Sequence, residues 1–168
     1  TPGYPLVCKT ATAGYDGKGQ WKLTRAEDCL AVQQELAGNA RPGSRWILEE
    51  WLPFEREVSI LVVRGADGAS RTYPLVENVH EDGILRQTTV PADVSTPVAE
   101  LAAKMARDAV QALDGVGVFC VELFLMPDDR LLMNELAPRP HNSGHYSLDA
   151  CTVSQFEQQV RTLCGLPL

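Results

Sequence analysis

Val116-Gly117-Val118-Phe119-Cys120-Val121-Glu122-Leu123-Phe124-Leu125-Met126, then Pro127-Asp128-Asp129-Arg130, then Leu131-Leu132-Met133-Asn134-Glu135-Leu136, is the stretch that decides the fold. Two apolar runs joined by a short polar turn read as a β-hairpin. With Asp128 and Asp129 as the two central turn residues, opposed residue numbers add to 257, which sets Glu122 against Glu135 on one face of the sheet. Like charges directly opposite each other destabilise a sheet. A cation between them removes the conflict, and two hard oxygen ligands with open positions suit Mg²⁺ (Mn²⁺ as its substitute) bridging phosphates. A solvated strand end, or a longer turn that breaks the register, is the alternative.

Working outward, Glu57–Arg64, the Gly65–Gly68 turn and Arg71–Val79 read as a second hairpin, and Pro5–Thr10 with Trp21–Leu23 as a third. Thr24-Arg25-Ala26-Glu27 predicts a capped helix with Glu27 at its third position, apolar at Ala26, Cys29, Leu30, Leu36 and Ala37. Thr96-Pro97 predicts a helix with Thr96 as N-cap, apolar at Val98, Leu101, Ala102, Met105, Ala109 and Leu113. Ser154-x-x-Glu157 opens a last helix through Phe156, Val160 and Leu163. The segment from His80 to Ala92 shows turn residues and little period. Hairpins imply antiparallel pairing, so the fold class is α+β.

The chain has 168 residues, 45% of them hydrophobic and 22% charged, with a net charge of −7. That length buries a real core in one domain. The acidic balance excludes a general nucleic-acid or membrane-surface binder. No apolar run reaches the ~20 residues of a bilayer span. Five cysteines without a CxxC pair read as thiols in a reducing, cytoplasmic setting rather than as disulfides or a zinc site. The chain starts at Thr1 and reads as a segment of a longer one.

Three further groupings carry chemistry. Gly14-Tyr15-Asp16-Gly17-Lys18-Gly19-Gln20 holds three glycines, so its backbone N–H groups could converge on a phosphate, with Lys18 adding charge; a plain hairpin loop is the alternative. Lys9, inside an apolar strand, must meet an anion or extend to solvent. Glu49-Glu50-Trp51-Leu52 ends a strand whose backbone could read an adenine edge while Glu57 accepts from ribose hydroxyls; an acidic solvated strand end is the alternative. Beyond Glu135, Pro138 and Pro140 stiffen a loop presenting Arg139, His141, Asn142 and Ser143, where arginine suits a planar oxyanion.

Gly14–Gln20, Pro74-Leu75-Val76-Glu77-Asn78-Val79-His80 with Asp82-Gly83-Ile84-Leu85, and Asn134 through His145 together resemble the N5-carboxyaminoimidazole ribonucleotide synthetase family, ATP-grasp enzymes of purine biosynthesis. The resemblance covers essentially the whole chain and corresponds to the family's central region. It implies an ATP-grasp fold of two subdomains, roughly 1–50 and 51–168, holding ATP. It implies ATP-dependent carboxylation of 5-aminoimidazole ribonucleotide by bicarbonate through carboxyphosphate. It gives Lys9 to the nucleotide phosphates, Gly14 through Gln20 to the phosphate-covering loop, Glu49 through Leu52 to adenine, and Glu57 to ribose. His80, Asn134 and Glu135 join the ATP contacts, and Glu122 and Glu135 are the Mg²⁺ ligands. Arg139 and His141 fall where carboxyphosphate meets the ribonucleotide, with Tyr15 and Lys18 reaching the substrate. Related carboxylases often carry Asn where this chain has Ala137, so that position stays outside the metal shell. The full-length enzyme is expected to be a homodimer with no nucleic-acid or membrane partner. Another ATP-grasp carboxylase or formyl-phosphate ligase, or an inactive nucleotide-binding fragment, are the competing readings.

Overall fold

The computed structural model describes residues 3–11, 19–39 and 44–168. The chain divides into two compact units, Thr1–Pro53 with Glu81–Ile84, and Phe54–His80 with Leu85–Leu168.

In the first unit, β1 (Leu6–Thr10) lies between β2 (Gln20–Leu23) and β3 (Trp46–Glu50) in an antiparallel sheet. Alternation along β1 turns Leu6 and Cys8 to one side, where with Leu23 they form a small core. Helix α1 (Ala26–Asn39) covers it with Cys29, Val32 and Leu36, while Leu30 stays exposed. The helix begins at Ala26, so its third position is Asp28 and not Glu27. The Asp28 carboxylate accepts from the Thr24 N–H and hydroxyl, both at 2.7 Å, and from the Arg25 N–H. These donors hold its carboxyl down at about 2.

The larger sheet holds β4 (Arg56–Arg64), β5 (Ser70–Thr72), β6 (Val76–Glu81), β7 (Ile84–Thr89), β8 (Gly117–Leu125) and β9 (Leu131–Ala137), in the order β7-β6-β4-β8-β9 with β5 also on β4, and all but Glu81 and Ile84 of its residues lie in the second unit. The second expected hairpin strand is broken in two. β5 and β6 pair with separate stretches of β4, and Tyr73–Leu75, with Pro74 lacking an N–H, interrupts them. The segment expected to lack structure instead carries β7. Asp82 (φ 53°) and Gly83 (φ 75°) close a two-residue turn whose left-handed conformation suits the strand twist.

Helix α2 (Thr96–Ala112) has Ser95 as its N-cap, one residue earlier than expected. It buries Val98, Ala102, Ala106 and Val110, an i, i+4 stripe, against Val58, Ile60, Val62, Phe119, Val121 and Leu123. Leu101 and Leu113, expected on that face, are exposed. Full burial of Val110 alone contributes about 1.5 kcal/mol. The other sheet face carries Leu61, Val63, Val118, Cys120 and Ala137 in a second cluster. After β9 come a 3₁₀ turn (Asn142–Gly144), α3 (Ser147–Ala150) and α4 (Gln155–Leu163). In α4, Gln155, Gln158 and Thr162 are buried while Phe156, Val160 and Leu163 face outward. Ser154 caps it by accepting from the Glu157 N–H, and the Glu157 carboxylate turns to Arg161.

Candidate active site

In β8 and β9, Glu122 and Glu135 are partners across antiparallel strands. The route to that register differs from the two-residue turn expected. Met126 pairs with Arg130 around a three-residue loop, closed by Asp129 at φ 62°. Near the turn the register is therefore Leu125↔Leu131, Phe124↔Leu132 and Leu123↔Met133, one residue short of the expected count. A β-bulge between Glu122 and Leu123 makes Asn134 the extra residue and restores the count, so that Asn134 and Glu135 together stand against Glu122.

The strands beside this pair bring more charge to the same face. Ser59 of β4 is the partner of Glu122, and Glu57 of β4 is the partner of Asn78 of β6. His80 Nδ1 lies 2.6 Å from Glu57 Oε2, an ion-pair contact. The Glu57 carboxylate raises the His80 pKa, desolvation opposes it, and Glu57, Glu122 and Glu135 add further upward pull. Glu122 is 14% exposed, and burial with the charges of Glu135 and Glu57 pushes its carboxyl up to about 7, while His80 and Arg139 pull the other way. A half-buried carboxylate facing another thus holds its proton more tightly than an ordinary glutamate. The donor set is hard oxygen, and its strain is what a divalent cation relieves, so the residues present fit Mg²⁺.

The loop after β9 carries Arg139 and His141. Arg139 is exposed and bonds to the Pro140 carbonyl. His141 Nε2 lies 3.2 Å from Glu122 Oε1. Its backbone is held at both ends by Gln155: the His141 N–H donates to Oε1 and Nε2–H donates to the His141 carbonyl, each at 2.8 Å. Gly144 lets the loop approach closely. A Cβ there would lie 2.6 Å from Gln155 Oε1 and also strike Leu61. Ser59 and Gln155 were missed in the sequence. A hydroxyl inside Val58-Ser59-Ile60-Leu61-Val62 needs a partner, and that signal could have found Ser59.

In the first unit, Lys9 Nζ lies 2.7 Å from Glu49 Oε2, so this lysine meets a carboxylate of the neighbouring strand. Gly19 takes φ 78° and its carbonyl accepts from Thr10. Gln20 is the partner of Lys9. Glu50 is exposed, Leu52 is half-buried, and the Trp51 ring lies 3.7 Å beneath the Lys22 ammonium. Gly14, Tyr15, Asp16, Gly17 and Lys18 lie outside the described residues.

No helix among the described residues is long and apolar enough to cross a membrane. The family model of the ATP-grasp domain matches residues 1–156. The chain is 47% identical over 164 residues to the N5-carboxyaminoimidazole ribonucleotide synthase of Bacillus subtilis (strain 168), a match covering 98% of this chain and 42% of that protein. It also resembles the carboxyaminoimidazole ribonucleotide synthase of Aspergillus clavatus complexed with ATP, with TM-score 0.91 and 38% identity over 99% of this chain and 42% of that one. The A. clavatus enzyme in complex with ADP and 5-aminoimidazole ribonucleotide gives TM-score 0.87 and 36% identity, covering 99% and 42%. The chain thus spans under half the length of these relatives. An antiparallel α+β sheet with opposed glutamates, together with a family match over nearly all its residues, shows that the chain belongs to the ATP-grasp family.

Proposed function

We propose that this chain is the nucleotide- and metal-binding part of a ligase that carboxylates 5-aminoimidazole ribonucleotide with bicarbonate at the expense of ATP. The observation that carries the reading is the Glu122–Glu135 pair, two carboxylates opposed across adjacent strands with Glu122 largely covered and Glu135 exposed, in a chain 47% identical to a synthase of that substrate class. An oxygen of bicarbonate attacks the γ-phosphorus, ADP leaves, and carboxyphosphate forms. The exocyclic amine then takes the carboxyl group, phosphate departs and the amine loses a proton.

Glu122 and Glu135 would hold Mg²⁺, which when bound neutralises phosphate charge during transfer. Asn134, brought beside Glu135 by the bulge, and His80, braced by Glu57, would line the phosphate side. Glu57 gives one oxygen to His80, and its other oxygen would accept from a ribose hydroxyl. Arg139 would clamp the carboxyphosphate oxyanion, a planar target for a guanidinium fork. Lys9, the 14–20 loop and Glu49–Leu52 belong to the same proposal as nucleotide contacts, with Tyr15 and Lys18 toward the substrate.

The test is to follow ADP release and carboxylated ribonucleotide side by side in the intact protein. The expected result is ADP release that requires bicarbonate and Mg²⁺, matched by product when the ribonucleotide is present. ADP release indifferent to bicarbonate, or carboxylation of a different amine, would overturn the reading.

A further inference from the structure

Between β6 and the His141 loop runs a buried chain of hydrogen bonds whose direction can be read from its donors. The Thr88 hydroxyl, 3.1 Å away, donates to Asn78 Oδ1, which leaves the Asn78 amide nitrogen facing Ser59 Oγ at 2.8 Å. An amide NH₂ only donates, so Ser59 Oγ accepts and its own proton points onward. The next atom is Ser143 Oγ at 2.9 Å. Ser143 in turn lies 2.9 Å from His141 Nδ1. The Ser143 backbone N–H, which also can only donate, reaches the same Nδ1 at 3.3 Å. Asn78, Ser59 and Ser143 are all buried, Ser59 and Ser143 almost completely.

Both donors at Nδ1 require a lone pair there, which leaves the ring proton on Nε2, the nitrogen 3.2 Å from Glu122 Oε1. We propose that Ser143, aligned by Ser59 and Asn78, is a positioning residue that fixes His141 as its Nε2–H tautomer, so that the ring donates to one oxygen of Glu122 and orients the other toward the cation. The proposal rests on the reading of Glu122 as a metal ligand. Outer partners of this kind set the orientation of a ligating carboxylate. The opposite tautomer would set the Nε2 lone pair against a carboxylate oxygen. The same direction bears on a second question. Cys120, Glu122 and His141 offer three ligand atoms within 4.8 Å of one another, a set that invites a thiophilic metal. His141 could join such a set through Nε2 only by moving its proton to Nδ1, against the Ser143 N–H. Ligation of a thiophilic metal through Nε2 is therefore disfavoured.

The experiment is a long-range ¹H–¹⁵N spectrum of the intact protein, labelled at histidine, at neutral pH without nucleotide. The His141 signals are assigned by their loss in His141→Gln. The expected result is an unprotonated Nδ1 and a protonated Nε2. Ser143→Ala removes the hydroxyl donor but keeps the backbone N–H, so the two nitrogens should move part of the way toward averaged shifts. The Mg²⁺ concentration for half-maximal turnover should rise about tenfold; a loss of stability alone, expected because Ser59 loses its buried acceptor, would leave that concentration unchanged. A protonated Nδ1 in the unaltered protein would overturn the proposal, and so would a Ser143→Ala variant with unchanged shifts and unchanged Mg²⁺ dependence. Absence of turnover in the unaltered protein would instead overturn the ligase reading, while the spectrum still decides the tautomer.

Discussion

Each unit sets charges on adjacent antiparallel strands, and the two do so with opposite sign logic. In the first, Lys9 on β1 meets Glu49 on β3, an opposite pair that balances itself at the surface. In the second, Glu122 on β8 meets Glu135 on β9, like charges with Glu57 close enough to add to the conflict. The first pair is balanced in charge, whereas the second carries a repulsion that a bound cation would offset. The contrast marks the conflicted pair, more than the balanced one, as a candidate ligand site.

Breaking the conflicted pair should have the largest effect. Glu122→Gln and Glu135→Gln should each abolish Mg²⁺-dependent ADP release, a loss of several kcal/mol in transition-state stabilisation. Glu135→Gln should also raise the melting temperature without Mg²⁺, because a repulsion is gone. The pH dependence follows in sign. The folded Glu122 carboxyl titrates near 7, above its unfolded value, so its contribution is full at low pH and is lost as pH rises through 7. Removing the Glu135 charge should lower that midpoint, as a carboxyl-carbon NMR titration would show, and should flatten the decline of stability between pH 4.5 and about 7. An unchanged midpoint would mean that burial alone, and not the facing charge, sets it.

Arg139→Ala comes next. Nucleotide affinity should hold while turnover drops by ~100-fold, as for loss of one preorganised oxyanion partner. Product formation at the normal rate would show that the arginine only braces its loop. Gly144→Ala tests the rigidity beneath the second pair. A methyl forced against Gln155 and Leu61 should cost about 1–3 kcal/mol in a denaturant melt.

The balanced pair should respond least. Lys9→Met keeps the stem in its apolar strand and frees an exposed carboxylate, so stability should shift by less than about 1 kcal/mol. Nucleotide affinity in a titration should nonetheless fall. Equal affinity would make Lys9 a partner of Glu49 and nothing more.

The same contrast shows what the sequence could reveal. The antiparallel hairpins, the long helices and the α+β class followed from local pattern, because alternation and capping are local. The opposition of Glu122 and Glu135 was reached by a count with two errors that cancelled. The turn holds three residues rather than two, and the bulge at Asn134 returns the lost step. Neither is written in hydrophobic period, which registers burial and not hydrogen-bond slippage. β7 was missed although Asp82-Gly83 is a strong turn signal, because Ile84–Thr89 buries little and so shows no alternation. The faces of α2 and α4 were displaced for a different reason. Which stripe of a helix is buried depends on what lies beneath it. In α4 the layer beneath is polar: Gln155 reaches into it for the His141 backbone. The Ser59–Ser143–His141 chain joins residues up to 84 positions apart, a distance at which single-residue signals say only that a partner must exist.

The most direct measurement is an anomalous difference map at the manganese edge, from crystals of the intact protein grown with Mn²⁺ and ADP. The expected result is a single strong peak bridging the Glu122 and Glu135 carboxylates, with Glu122 Oε1 still turned to His141 Nε2. A peak coordinated by neither glutamate, or by Cys120 and His141 in place of Glu135, would contradict it.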